Sequence, residues 1–384
     1  MEAVPQRRAP YRDELTRIEI LAELGSAGPL NRSQLAARLR LGPATVTDHT
    51  RRLVAGGYLR ELPPEAVGVG RPRVPLQVVA DSAYTLGLQV NSRQMVSVVV
   101  RLDGTVAQRD TTAFDPGTDP LGQLADAARR ILATPDLGGR IRGVGVAVPG
   151  IVDPRTGLVR MASRLGWTDL PLGAGLGEAL PVPVLVDNEL RASTTTELLF
   201  GTGRDHDDFL VLGLGDGVGM GIVLHRRLHR GPDGSAGEFG HTPVSTDGPY
   251  CVCGARGCLE AYASEPAIVL AARRAHLIGP SDGLAEVQDD APRNPALRAL
   301  LAGTGSVLGR AVAGVVNLLA VRAVTVIGEC HLLWQHLEPG FTAAIDASVL
   351  PPLRGLEVTA RPWPASVRAR GAATLVLTRA NILD

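Results

Sequence analysis

His241-Thr-Pro-Val-Ser-Thr-Asp-Gly-Pro-Tyr-Cys251-Val-Cys253-Gly-Ala-Arg-Gly-Cys258-Leu-Glu260 is the stretch on which the fold assignment turns. Three of the chain's 4 cysteines fall inside it, with a histidine ahead of them. Divalent zinc in a structural site takes four nitrogen or sulfur ligands in a tetrahedron, at about 2.0–2.3 Å. One His and three Cys satisfy that valence, and Gly254 and Gly257 allow the chain to curl back on one ion. A disulfide with a leftover thiol, or plain packing, is the alternative. A chain without a secretory signal disfavours the first, and clustering disfavours the second. A structural Zn²⁺ on His241, Cys251, Cys253 and Cys258 is therefore expected.

Outward from that stretch, 384 residues are enough for two or three domains with substantial cores. Formal net charge is zero and aromatic residues make up 3%, so global charge points to no nucleic-acid partner. All 39 basic residues are Arg. They are unevenly placed: residues 1–80 hold 12 Arg against 8 Asp and Glu, a net +4 balanced by −4 over the rest. Neither an apolar signal-like start nor a later run of about 18 apolar residues is read, so a cytoplasmic protein without a membrane partner is expected.

Residues 1–10 read as a loose tail and 11–80 as a winged helix-turn-helix. Leu15, Ile18, Leu21, Ala22 and Leu24 recur at helical spacing, with Gly25 as the expected stop. Asn31 or Ser33 can cap a second helix, and Pro43 opens a third that Gly56-Gly57 ends. Tyr58 to Glu61 and Val74 to Val79 then read as a two-stranded wing. In the third helix Val46, Leu53 and Val54 would face inward. Pro43, Thr45, Thr47, Asp48 and Arg51 are left to meet double-stranded operator DNA, with Arg71 and Arg73 reaching from the wing. Asp48 either accepts from a cytosine amino group or orients an Arg. A winged helix used only for protein contacts is the alternative.

After Asp81 the period changes to alternating strands and helices, the mark of an α/β fold. Strands are expected at Tyr84–Val90, Met95–Leu102, Ile141–Val148, Val182–Val186 and Ala323–Ile327, with helices at Leu121–Leu132, Leu190–Leu199, Leu308–Leu319 and an amphipathic one at Ala369–Asn381. Phe209 to Gly221 is a glycine-rich hairpin, either a phosphate cradle or a plain turn. Residues 279–296 read as an exposed loop.

Gly-Glu238-Phe-Gly-His241 before the cysteines and Leu-Glu260 after them make the chain resemble the ROK family of repressors and sugar kinases. The resemblance implies a winged helix joined to a two-lobed actin-like, ribonuclease-H-type domain. The first lobe would span 84–200, with a C-terminal helix at 367–384 returning to it, and the second 201–366. It also implies that His241 and the three cysteines hold zinc, and that Asn188, Glu238, His241 and Glu260 hydrogen-bond sugar hydroxyls, with Glu189 beside them. One imidazole nitrogen can bind a metal while the other faces a hydroxyl.

Kinases of the family carry Asp-X-Gly-Gly-Thr in the opening hairpin, where this chain has Gln89-Val-Asn91-Ser92-Arg93. Their general base is an Asp after Asn; here it is Glu189, one methylene longer, which misplaces a proton acceptor by about 1 Å. Their adenine-facing Gly-Gly reads Gly328-Glu329. Arg164 stands where the kinases commonly have Asn, which leaves room for an acidic or phosphorylated ligand. Three departures from phosphoryl-transfer needs argue against an enzyme. The expectation is a sugar- or sugar-phosphate-responsive repressor, a homodimer or homotetramer on a palindromic operator. An active sugar kinase with an appended DNA-binding domain, and a protein-docking regulator with a vestigial cleft, are the alternatives.

Overall fold

Residues 9–65, 72–379 and 382–383 are described by a computed structural model. Their contacts divide them into two units, one running to Arg204 and resuming at Ala365, the other Asp205–Pro364.

The first unit opens with α1 (Ala9–Ala27), β1 (Leu30–Asn31), α2 (Arg32–Arg38), α3 (Pro43–Ala55), β2 (Leu59–Glu61) and β3 (Pro75–Val78). Asn31 starts α2 through a capping box: its Oδ1 accepts from the Ser33 and Gln34 amides at 3.0 Å, and Gln34 Oε1 accepts from the Asn31 amide at 2.9 Å. Such a cap is worth about 1 kcal/mol. Ile18, Leu21, Leu35, Val46, Leu53, Leu59 and Leu76 form the module's core.

Two details differ from expectation. The wing sheet has three strands in the order β1-β3-β2, because the two-residue β1 pairs with Pro75 and Leu76; a segment that short leaves no periodicity to read. Helix α1 runs through Gly25 to Ala27. Gly25 marks a close approach: a Cβ there would lie 2.6 Å from the carbonyl oxygen of Asp103.

The chain continues through β4 (Tyr84–Val90), β5 (Gln94–Arg101), β6 (Val106–Ala113), α4 (Pro120–Leu132), β7 (Ile141–Val148), β8 (Ile151–Asp153), β9 (Leu158–Ala162), β10 (Trp167–Leu170), α5 (Leu172–Ala179), β11 (Val184–Asn188) and α6 (Glu189–Phe200). The main sheet has the order β11-β7-β4-β5-β6, with β11, β7 and β4 parallel and β4-β5-β6 an antiparallel meander. Leu86, Leu88 and Val90 on one face of β4 pack with Leu124 of α4 and with Leu172 and Leu176 of α5. The two faces of the sheet separate at every second residue.

The second unit holds β12 (Phe209–Leu214), β13 (Val218–Leu224), β14 (Arg227–Leu228), α7 (Glu260–Ala263), α8 (Glu265–Arg274), α9 (Leu284–Asp290), α10 (Pro295–Leu319), β15 (Ala323–Ile327), α11 (Trp334–Ser348) and β16 (Glu357–Ala360). Its sheet order, β14-β13-β12-β15-β16, repeats that of the first unit, an antiparallel meander followed by parallel strands. Residues 279–296 hold α9 and the start of α10 rather than a plain loop. Val287, Ala291 and Leu297 are buried among Asp and Pro that mask them in sequence, and Pro295 occupies the first turn, where its missing N–H costs nothing. Among the described residues, α10 is long and apolar enough to cross a membrane by composition. The sequence reading passed over it because Arg298 and Arg310 interrupt the run, and its Leu297, Leu301, Leu308, Val312 and Val316 lie in the core of the second unit.

The last helix, α12 (Ala365–Leu377), belongs to the first unit. It is buried almost all round from Ala369 to Leu377, not amphipathic, because it lies directly on the sheet beside α6. A Cβ on Gly87 would sit 1.9 Å from Ala369 O, and one on Gly145 1.8 Å from Ala372 O, so only glycine admits the helix at this distance.

Candidate metal centre, ligand residues and DNA-reading face

In the second unit the ligand atoms of His241, Cys251, Cys253 and Cys258 lie within 4.8 Å of one another. Cys251 Sγ is 3.5 Å from His241 Nδ1, and Cys253 Sγ is 3.7 Å from Cys258 Sγ. A tetrahedral zinc with ordinary bond lengths has edges of about 3.7 Å between sulfurs and about 3.5 Å between nitrogen and sulfur, so the donor set fits. The loop is shaped by its backbone: the Cys251 amide donates to Ala255 O, the Val244 amide to Gly257 O, and Gly257 at φ 71° lies against Ser245. Burial raises the Cys251 thiol and pushes Cys258 up to about 12, while the Ala255 backbone amide lowers exposed Cys253. The group can hold one divalent cation.

Beside this loop Glu260 opens α7, and its Oε2 accepts from the Val218 amide at 3.2 Å. Glu238 is exposed one turn before half-buried His241. The glycine-rich hairpin between β12 and β13 is occupied: Glu329 Oε2 lies 2.0 Å from where a Cβ on Gly215 would be, so a carboxylate rests on the turn itself.

In the first unit, Asn188 caps α6. Its Oδ1 accepts from the Leu190 and Arg191 amides, and its Nδ2 donates to Gly150 O at 2.8 Å. Glu189 follows, with Oε2 accepting from Gln89 Nε2 at 3.4 Å and lying 3.5 Å from Arg368 Nε. Gln89 is 1% exposed, and its Oε1 accepts no hydrogen bond among the described residues. In the hairpin after β4 the amides of Arg93 and Gln94 both donate to Asn91 Oδ1 at 2.9 Å. Arg164 is exposed in a short 3-10 turn after β9, and Cys330 is buried in the second unit, its thiol pushed up to about 12 by burial.

On the DNA-binding module, Pro43, Thr45 and Arg51 are exposed and Thr47 and Asp48 half-buried. Buried positions of α3 are Val46, His49, Thr50 and Leu53, with Val54 only partly covered. Asp48 pairs with Arg52 at 2.9 Å on the exposed face, the orienting role of the two foreseen. Arg73 is exposed, and its backbone pairs with that of Glu65 through two amide–carbonyl hydrogen bonds; Arg71 lies outside the described residues.

Sequence reasoning missed two contacts because they join distant segments, Arg368 on Glu189 and the Tyr58 hydroxyl donating to Leu383 O at 2.9 Å; it also missed the local, buried Asp187–Arg191 pair at 2.6 Å, one turn apart where β11 runs into α6. The only available signal for Arg368 was a charge inside an Ala- and Gly-rich helix.

A winged helix with two α/β units of like sheet order defines a class: a DNA-binding module on an actin-like sugar-kinase fold. A ROK family profile matches residues 85–379 and a MarR family profile residues 14–65; the chain belongs to the ROK family. The xylose repressor of Bacillus subtilis (strain 168) is 28% identical over 253 residues, spanning 65% of this chain and 66% of that protein. The transcriptional dual regulator NagC of Escherichia coli (strain K12) is 24% identical over 89% of both chains. Among solved structures, a ROK family transcriptional regulator described as a homologue of the E. coli MLC protein superposes with a TM-score of 0.80 at 25% identity, covering 97% of this chain and 98% of its own. A ROK glucokinase from Streptomyces griseus, solved with glucose and AMPPNP, gives 0.64 at 27% identity over 76% of this chain and 99% of its own.

Proposed function

We propose that this protein is a sugar-responsive transcriptional repressor of the cytoplasm that binds operator DNA through α3 and the wing and does not phosphorylate its ligand. The observation that supports this reading is a pair of filled hairpins, together with an α3 whose Pro43, Thr45 and Arg51 are exposed. A phosphate at the hairpin after β4 would need the amides that Asn91 already occupies, and a phosphate at the glycine-rich hairpin of the second unit would meet the Glu329 carboxylate on Gly215. Like charge at that distance repels it. Relatives named as a xylose repressor and as a DNA-binding transcriptional dual regulator, matched over 66% and 89% of their length, support the same reading.

In this proposal the ligand's hydroxyls are met by Asn188, Glu189, Glu238, His241 and Glu260. A site of that kind rejects analogues lacking a hydroxyl, since each stranded buried partner costs about 1–3 kcal/mol. The cation on His241, Cys251, Cys253 and Cys258 is zinc, in a structural role: it would fix the loop carrying His241 and set that imidazole's free nitrogen as a donor. A homodimer or homotetramer would present two reading helices to a palindromic operator. A thermal-shift screen of sugars and sugar phosphates, repeated with operator DNA, tests the proposal. ATP consumption with any hexose of the panel would overturn it in favour of the kinase reading suggested by the glucokinase neighbour.

A further inference from the structure

Glu189 and Arg368 stand at the starts of two neighbouring helices. Glu189 is the first residue of α6 and Arg368 lies in the first turn of α12; their side chains are 19% and 12% exposed. The helices pack side by side, with Ala192 against Gly371 and the Thr196 hydroxyl on the Thr374 hydroxyl at 3.2 Å. Each is about 18–20 Å long. Their far ends meet the DNA-binding module. Leu199 of α6 and Val376 and Leu377 of α12 share one apolar cluster with Ile18, Leu21 and Leu24 of α1. Ile382 and Leu383 join that cluster beyond α12, where Tyr58 donates to Leu383 O and Arg142 donates to the Tyr58 hydroxyl at 3.3 Å.

We propose that the Glu189–Arg368 pair couples the ligand site to the DNA-binding module, with Arg368 as the positioning residue. This rests on the reading of Glu189 as a ligand-binding group. A ligand hydroxyl that donates to Glu189 competes with Arg368 for the same carboxylate. A nearly buried guanidinium keeps its charge close to a counter-charge, so when the carboxylate turns to the ligand either the guanidinium follows it or α12 shifts with it. Backbone contacts at Gly87 and Gly145 hold the middle of α12 against the sheet and act as a pivot. Displacement at the paired ends therefore appears at the opposite ends, in the seat of α1. By linkage, operator DNA must change ligand affinity by the same factor that the ligand changes DNA affinity.

The test uses the full-length protein and hydrogen exchange without any sugar, on wild type, Arg368→Met, Arg368→Lys and Glu189→Gln. Amides of residues 18–24 and 53–59 should exchange about tenfold faster in Arg368→Met and Glu189→Gln, and at the wild-type rate in Arg368→Lys, with 210–214 unchanged. Faster exchange confined to 188–192 and 365–372 would overturn the coupling, as would an unaffected Glu189→Gln should Arg368→Met fail to fold. A second arm adds D-xylose, D-glucose, N-acetylglucosamine and the 6-phosphates of the last two. The sugar that stabilises wild type should speed exchange at 18–24 there and leave Arg368→Met unmoved; an equal response in both overturns the coupling. A panel that stabilises nothing sinks the sugar reading instead, and the sugar-free arm then decides the coupling alone.

Discussion

Gly25→Ala isolates the contact that seats the DNA-binding module on the rest of its unit. The new methyl would lie 2.6 Å from Asp103 O and 2.9 Å from Asp103 Cα, both backbone atoms of a turn rather than the end of a flexible side chain. Contact distances near 3.5 Å would force α1 or the turn to move by most of an ångström, and overpacking of that kind costs about 1–3 kcal/mol. Alanine in a helix returns about 0.5–1 kcal/mol. The net is a loss of about 1 kcal/mol at the centre of a range from about 0 to 2.5, a factor of roughly 5 in opening equilibrium. Gly314→Ala supplies the control: Gly314 lies exposed in α10 with nothing within 4 Å of its missing Cβ, so the substitution should only stabilise. Because the two units need not melt together, native-state hydrogen exchange at residues 18–24 is the appropriate readout rather than a single melting temperature. If Gly25→Ala slows exchange there as Gly314→Ala does in α10, α1 is not seated on the Asp103 turn.

If the His241–Cys258 group holds its proposed metal, a chelator should speed exchange across residues 242–258 and abolish the sugar response, while α2 and α3 keep their protection; a chelator-treated protein that still responds to its sugar would detach the metal from ligand binding. Arg51→Ala should weaken operator binding across sequences and lower the slope of log affinity against log salt by about 1, measured by fluorescence anisotropy. Asp48→Ala frees Arg52 from an exposed pair, so stability should change by less than about 0.5 kcal/mol, and any larger effect belongs to operator affinity. Glu329→Gly should clear the glycine-rich hairpin of its carboxylate yet yield no sugar phosphate in a coupled assay, since Gln89 and the Asn91-filled hairpin remain; turnover in that variant would show that a single residue silences phosphoryl transfer.

What was legible in the sequence was local. The four candidate metal ligands sit within one short stretch whose glycines announce the curl, and of the two residues able to cap the second helix Asn31 does so, through a box with Gln34. Glycine itself misled at position 25, because the letter is the same for a helix stop and for a helix pressed against a neighbouring backbone. Helix α9 was hidden for a related reason: Val287 and Ala291 are its buried anchors, too few among Asp and Pro to carry a period. Arg368 could not be found at all. Its partner Glu189 lies in another part of the chain, and only the return of α12 to the first sheet brings the two charges together.

The substitutions that argue against catalysis also explain why the vacated groups have partners. In a phosphoryl-transfer site the base carboxylate must stay free for a hydroxyl proton, and the hairpin amides free for phosphate oxygens. Here Gln89 donates to the carboxylate of Glu189 and to Val90 O, Arg368 pairs with that same carboxylate, and Asn91 takes the hairpin amides for itself. Each contact would impede transfer chemistry, and each ties the site to the frame of the first unit. A carboxylate relieved of proton transfer can be held by a cation on a neighbouring helix, and a site held that way reports its occupancy to whatever the helix touches. In this chain the helix touches the core of the DNA-binding module, so under the proposed function the replacements that would end catalysis would also make the regulatory connection.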